Sequence, residues 1–417
     1  MTVPRLLLGV DAGPVSYESH IRLHGELPHR ANSSALIAEL ASAALRGKGG
    51  GEFPLARKLD AITRNPAAPA VVVNACEGEP MSIKDRVLVQ AAPHLVLDGA
   101  LCCAAALGAT DLVVAVDALS VAAGEAVEDA LAERNDLTGA LRSTLVEVPP
   151  GYVSGQETAL ISYLNGGPAL PQRPDKRVTA RGVGRRPTLV SNAETLAHAA
   201  LIARHGARWF RTAGTAEEPG TVLVTLSGPV RDPDVYEIEY DTGLSALLKA
   251  AGGLVQRAGA FLIGGYAGTW IHADQAPSIR LSRAGLRPFG ASLGAGIIVA
   301  LPERACPVAE VARVAEWMAG QSAGQCGPCV HGLAAVAAAL DSIRDGHASD
   351  GMLADIRRWA RQIAGRGACA HPDGAVRFIA SALTTFDAEF EDHRRFGPCD
   401  ACELRTLATP ARRHAQV

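Results

Sequence analysis

The residues with the most chemistry per unit length lie in GQSAGQCGPCVHG, 320 to 332, around Cys326-Gly327-Pro328-Cys329. Two cysteines at this spacing serve three chemistries. These are dithiol–disulfide exchange, for which a Gly-Pro centre is typical, tetrahedral zinc, and an iron–sulfur cluster. The chain holds nine cysteines. Cys102 and Cys103 sit in an apolar helical run and read as core thiols. Cys76 stands alone in NACEGEP, and Cys306, Cys326, Cys329, Cys369, Cys399 and Cys402 all follow residue 305. In a large chain whose first apolar run is too brief for a signal-peptide core, metal or redox roles outweigh structural disulfides.

A disulfide-exchange CGPC should follow a strand in a small βαβ unit. The residues before this one, VAEVARVAEWMAG, read as a helix, which disfavours that chemistry. Zinc requires four ligands, and His331 and Cys369 could complete a set. The two metal readings both stay open on the residues alone.

Three further segments concentrate polar groups. LRGKGGGEFPLARKL (45–59) places three consecutive glycines beside Lys48 and Lys58, so that backbone N–H groups can approach a phosphate. VVVNACEGEPMSIKDR (71–86) is a strand running into Asn74, Cys76, Glu77, Glu79, Lys84 and Asp85. VPPGYVSGQETALI (148–161) is a strand followed by Tyr152 and by Gly155-Gln156-Glu157 opening a helix. Ligands of open α/β sheets sit beyond the carboxyl ends of strands, and Asn and Glu can bond a ring edge or ribose hydroxyls, which suits a flavin or nucleotide.

The elements that must position these groups follow from pattern. PAVVVNA, DLVVAVD and TLVEVPPGY are β-branched runs separated by Ala/Leu-rich helical segments, an α/β layered arrangement. From about 220, TVLVTLSGPV, DVYEIEY, GLSALLKAAGG and GAFLIGGYAGTWI read strand, strand, helix, strand, close to a β-grasp. From 307 to 393 four amphipathic helices are expected, the last carrying Val376, Ile379, Leu383, Phe386 and Phe390 on one face. The stretch after His393 is polar and is expected to be loosely held.

At 417 residues, 48% of them hydrophobic, the chain has material for two or three cores. Aromatics are only 4%, so Ala and Gly must do much of the filling. A net charge of −3 without a basic run argues against nucleic acid. The best membrane candidate, His94 to Ala109, is short and interrupted by Asp98, so no membrane span and a cytoplasmic location are expected.

Taken in order, the Gly-rich loop ending in Phe-Pro, N-x-x-EGEP-x-x-x-KDR, GY-x-x-G-x-ETAL and RPTLVSNAETL (186–196) resemble the flavin-bearing, NADH-oxidising subunit of respiratory complex I and its counterparts in soluble hydrogenases and formate dehydrogenases. The resemblance covers roughly residues 35 to 395. It implies an α/β flavin-binding domain (1–215), a small β-grasp-like SLBB module (216–302), a C-terminal four-helix iron–sulfur bundle (303–395) and a tail with a CxxC (396–417). It implies an FMN site at Gly47, Gly49, Gly50, Lys58, Asn74, Glu77, Tyr152, Gly155, Gln156, Glu157, Ser191 and Asn192, with Glu77 and Glu157 positioning the nucleotide near the reacting ring. The family's S-C-G-x-C-x-x-C loop and a distant cysteine hold a 4Fe–4S cluster, which implies Cys326, Cys329 and Cys369 as metal ligands here.

The sequence departs from the family at Glu52, where Gly is usual, at Cys76 and Gln156, where acidic residues are usual, and at Ala323, where the first cluster cysteine is expected. Glu52 adds bulk and negative charge where a pyrophosphate would approach, so use of NAD(P)H is expected to be altered. With Ala323 in the loop, the options are a 3Fe–4S cluster, a 4Fe–4S cluster with a non-cysteine ligand such as His331 or His371, or no cluster. A helix over 373–393 would carry the chain about 30 Å away from Cys369. Five residues would return it about 17 Å at most. Cys399 and Cys402 are therefore not expected on that cluster, and Cys306 is expected to be distant from it too. The function implied is an electron-transfer oxidoreductase, a diaphorase-like subunit handing electrons from a two-electron donor to a ferredoxin or 2Fe–2S partner within a larger redox complex. The alternative is a scaffold subunit that keeps flavin and has lost its cluster.

Overall fold

The computed structural model describes residues 4–10, 13–27, 33–134, 141–173 and 175–410. They form two compact units. The first comprises residues up to Gly78, Ile83–Leu223 and Val235–Asp241, and the second comprises Glu79–Ser82, Val224–Asp234 and the chain from Thr242 onward.

The first unit is built on β1 (Ala70–Ala75), β2 (Asp111–Asp117), β3 (Arg142–Val148) and β4 (Thr188–Asn192). Their order is β3-β2-β1-β4, every pair parallel. Ala70 to Val73 are wholly buried, as expected of a strand covered on both faces. The helices are α1 (Tyr17–His24), α2 (Ser33–Ser42), α3 (Leu55–Thr63), α4 (Lys84–Ala91), α5 (Pro93–Leu107), α6 (Val121–Ala132), α7 (Glu157–Leu164) and α8 (Ala193–Phe210). The low aromatic content shows in how α5 meets α8. A Cβ on Gly99 would lie 1.8 Å from the Leu196 carbonyl oxygen, so only glycine allows that crossing. Ala100, Ala104, Ala197 and Ala200 fill the rest of the contact layer. Among the described residues no single helix is long and apolar enough to cross a membrane. The bent pair α4 and α5 passes that test only when its two halves are joined across a 93° turn.

The second unit uses β5 (Thr221–Ser227, its first three residues belonging to the first unit), the first residue of β6 (Asp234–Glu239, the rest of which belongs to the first unit), α9 (Leu244–Ala250), β7 (Ala258–Ile263), β8 (Thr269–His272) and β9 (Ile297–Pro302). β9 pairs in parallel with β5 and antiparallel with β7, and β7 pairs with β8. The helices that follow are α10 (Pro307–Gly320), α11 (Ala334–Arg344), α12 (Met352–Ile363), α13 (His371–Thr385) and α14 (Asp387–Phe396). A single helix over 373–393 is not what forms. The chain breaks at Phe386, whose φ of −116° and ψ of 34° leave the helical region, and the Phe386 ring is buried there. The polar tail is not loose up to residue 410. Arg313 donates to the carbonyls of Cys402 and Leu404, the Glu310 carboxylate accepts from Thr406 and Leu407 N–H, and Leu407 is buried. Residues 411–417 lie outside the described residues.

Candidate functional site

The loops singled out in the first unit meet at the carboxyl ends of β1 and β4. The two strands are neighbours in register, so Asn74 stands beside Asn192. Asn74 Nδ2 donates to the Gly155 carbonyl at 2.7 Å, tying the NACEG loop to the GQETAL loop. Those loops touch backbone to backbone: a Cβ on Gly78 would lie 2.3 Å from Gly151 O, and one on Gly155 would lie 3.1 Å from Cys76 Cβ. Lys58, on α3 just after the Gly-rich loop, reaches the Glu157 carboxylate at 2.8 Å and the Val190 carbonyl at 2.9 Å. Lys48 instead points inward. Its ammonium is buried and donates to Tyr240 Oη at 2.8 Å and to the Thr221 carbonyl at 3.1 Å.

Three capped helix starts border the same site. Asn192 caps α8 by accepting from Glu194 N–H, and Gln156 caps α7 by accepting from Thr158 and Ala159 N–H. The Glu77 carboxylate accepts from the N–H groups of Asp85 and Arg86 at the start of α4. Asn192 Nδ2 is fixed by Asp85 Oδ2 at 2.6 Å. Asp85 in turn bonds Lys84, whose ammonium also meets Glu194 at 2.8 Å, all three being buried. Burial alone would lower the Lys84 pKa, but the charges of Asp85 and Glu194 outweigh it and keep the ammonium well above its ordinary range. Lys84 and Asp85 are among the residues singled out from the sequence, and Glu194 is not. Cys76 is no thiolate, because burial and then the charges of Asp117 and Asp85 push its thiol far up.

Gly47, Gly49 and Gly50 line the loop before α3. A Cβ on Gly49 would lie 3.4 Å from the Asn192 side chain, which is the close approach that a glycine there permits. Gly50 has a φ of 89°, and Glu52 holds a φ of 46°, a left-handed conformation that glycine adopts freely. Ser191 is buried at the end of β4 and Tyr152 is half-buried. The site sets the Lys58 ammonium beside the Gly-rich backbone, in a cradle held by the Asn74, Asn192 and Gln156 side chains. It fits an anionic phosphate together with a polar ring edge.

In the second unit, α10 ends at Gly320 and the chain passes Ser322, Ala323 and Cys326 into a π-helical turn over Pro328–Leu333. Such turns widen the helix and recur at functional sites. Cys329 is buried, and Cys326 and Cys369 are half-buried. Burial, then the neighbouring Cys326 and Cys369, push the Cys329 thiol up to about 12, while the Ser322 side chain hydrogen-bonds it. Cys326 and Cys369 lie near enough to act on the Cys329 thiol, and three soft thiols in one neighbourhood fit three ligands of an iron–sulfur centre. His331 is exposed on the π turn. His371 is buried and its Nε2 donates to the Met318 carbonyl at 2.9 Å. The remaining late cysteines, Cys306, Cys399 and Cys402, gather elsewhere in the same unit, around His393.

Residues 40–200 match the Nuo51 FMN-binding domain family, and residues 309–393 match the NADH-ubiquinone oxidoreductase-F iron–sulfur binding region. The chain is 31% identical to the NADH-quinone oxidoreductase F 2 subunit of Rhizobium meliloti, over 84% of this chain and 86% of that protein. It is 30% identical to the NADH-quinone oxidoreductase F subunit of Mycobacterium bovis, over 92% and 91% respectively. Among solved structures, it superposes on a chain of an NAD+-reducing NiFe-hydrogenase in the H2-reduced state with a TM-score of 0.82 at 28% identity. That match covers 94% of this chain and 66% of the hydrogenase chain.

Proposed function

The chain belongs to the family of F subunits of the NADH-quinone oxidoreductases, and within it we propose a flavin- and iron–sulfur-dependent electron-transfer oxidoreductase. The observation that carries this reading is the meeting of the Gly-rich, EGEP and GQETAL loops at the ends of β1 and β4, with Lys58 and Glu157 bridging two of them. When bound, FMN supplies acceptance of a hydride and release of electrons one at a time, and a cluster takes them singly. Lys58 and the N-terminal turn of α8 would hold the phosphate, and Asn74, Glu77, Gly155 and Glu157 would orient the ring system. Gly47, Gly49, Gly50, Tyr152, Gln156, Ser191 and Asn192 would complete the cradle. Cys326, Cys329 and Cys369 would hold the cluster.

The finer architecture belongs to the same proposal: a β-grasp-like SLBB module over 216–302 and a four-helix iron–sulfur bundle over 303–395, with the flavin domain ahead of them. We take the chain to work in the cytoplasm in a hetero-oligomeric redox complex, handing electrons to a ferredoxin or 2Fe–2S subunit. The negative charge of Glu52 beside the Gly-rich loop makes NAD(P)H a poor donor. Ala323 supports a second reading, a flavin-holding scaffold without a cluster. Anaerobic titration with NADH, NADPH and dithionite tests the nucleotide part. Dithionite should bleach the flavin band fully and NAD(P)H only slowly. Rapid stoichiometric bleaching by NADH would overturn the altered-donor reading.

A further inference from the structure

The structure assigns a second, separate metal site to Cys306, His393, Cys399 and Cys402: a mononuclear, tetrahedral zinc centre that clamps the C-terminal tail onto α10. The four donor atoms all lie within 4.8 Å of one another. Cys306 Sγ is 3.3 Å from His393 Nε2 and 3.7 Å from Cys402 Sγ, and Cys399 Sγ is 3.8 Å from Cys402 Sγ. A zinc tetrahedron with Zn–S near 2.3 Å and Zn–N near 2.0 Å has sulfur–sulfur edges of about 3.8 Å and sulfur–nitrogen edges of about 3.5 Å. The measured edges agree with these. They are far longer than the roughly 2.05 Å of a disulfide. They are too short for ligands divided between the irons of a cluster, where bridging sulfides must fit between the metals.

The surroundings favour a structural ion. Cys306 and His393 are buried, and Cys306 sits at the N-cap of α10, where its sulfur accepts the Ala309 N–H at 3.3 Å. A thiolate gains there from the positive end of the helix. Three cysteines and one histidine are a standard zinc donor set, and zinc carries no redox change. The site is distinct from the Cys326, Cys329 and Cys369 group. The two groups flank opposite ends of the fourteen-residue α10, which is about 21 Å long. The break at Phe386 permits the arrangement, because α14 restarts there and carries His393 back toward Cys306. The Arg313, Glu310 and Trp317 contacts to residues 402–410 continue the same clamp along α10.

The full-length protein, purified without chelator from zinc-replete cells, tests this by metal analysis and zinc-edge X-ray absorption. About one zinc per chain with three sulfurs and one nitrogen in its shell is expected. A Cys399→Ser/Cys402→Ser variant should lose that zinc while keeping the flavin and iron of the parent. Limited proteolysis should then cut it faster within 397–410. Zinc below about one-fifth per chain in the parent, iron in place of zinc in that shell, or a Cys399–Cys402 disulfide by mass spectrometry would each overturn the assignment. The absorption spectrum of the parent decides the matter even if the variant fails to fold.

Discussion

The Lys58 ammonium lies 2.8 Å from the Glu157 carboxylate, joining α3 to α7 across ninety-nine residues of sequence. This pair places a cation beside the Gly-rich loop, whereas Lys48 in the loop itself turns inward to Tyr240 and Thr221. Replacing Lys58 with Met should weaken FMN binding by roughly 10- to 100-fold, as expected for a lost charge-assisted bond of about 1.5–3 kcal/mol. Quenching of FMN fluorescence measures it. Lys58→Arg should recover part of the affinity, and unchanged binding in Lys58→Met would remove the residue from the site.

Behind that site, Lys84 neutralises two buried carboxylates, Asp85 and Glu194. Lys84→Met would leave both without their cation, so unfolding free energy should fall by about 3–5 kcal/mol. Urea denaturation reads the change, and a loss under about 1 kcal/mol would mean that the triad contributes little.

Stability should also fall on mild acidification. His24 is held down to about 4 by burial and then by His20 and Arg204. His94 is held down to about 4 by burial and then by Arg134 and His20. Both pack around Asp98, which accepts from His20, Arg134 and Arg204. The unfolded chain, with ordinary histidines near pH 6.5, takes up protons first. The contribution is therefore complete above about pH 6.5 and declines as pH drops toward 4. Thermal unfolding between pH 7 and pH 4.5 should show a falling midpoint, and replacing His24 and His94 by Gln should flatten the slope.

Glu52→Gly tests the nucleotide reading. It removes a negative charge and gives the φ of 46° to the residue type that adopts it freely. Reduction by NADH should accelerate at least several-fold while FMN content stays constant. No acceleration would clear Glu52 of blocking the dinucleotide.

The flavin loops were legible because each is a contiguous string at a strand end, where position along the chain already fixes position in space. The β1–β4 adjacency and the Glu194 partnership were not legible. Both depend on which strands become neighbours, and no local pattern encodes that. The late cysteines show the same limit. Treating 373–393 as one straight helix hid the turn at Phe386, so His393 read as a helix-end residue, and Cys399 and Cys402 read equally as a frayed tail or as a pair that binds metal or a partner elsewhere. A CxxC needs two more ligands, and His393, six residues before Cys399, was the available signal. The SLBB module and the exact domain limits rest on resemblance to the family.

Ala323 decides the cluster's composition. Ala323→Cys supplies the thiolate that the loop lacks, so iron per chain should rise toward about four and a three-iron signal, where present, should disappear. Unaltered iron content in the variant would point to a fourth ligand already in place.

The central claim, that one chain carries both a flavin and a cluster on Cys326, Cys329 and Cys369, is tested most directly by combined absorbance and EPR on anaerobically purified protein. The account predicts a flavin band with FMN near one per chain, a broad sulfur-to-iron absorption, and an iron–sulfur EPR signal in the oxidised or dithionite-reduced state that is lost in Cys329→Ser. Flavin with no iron, no acid-labile sulfide and no EPR signal would contradict it.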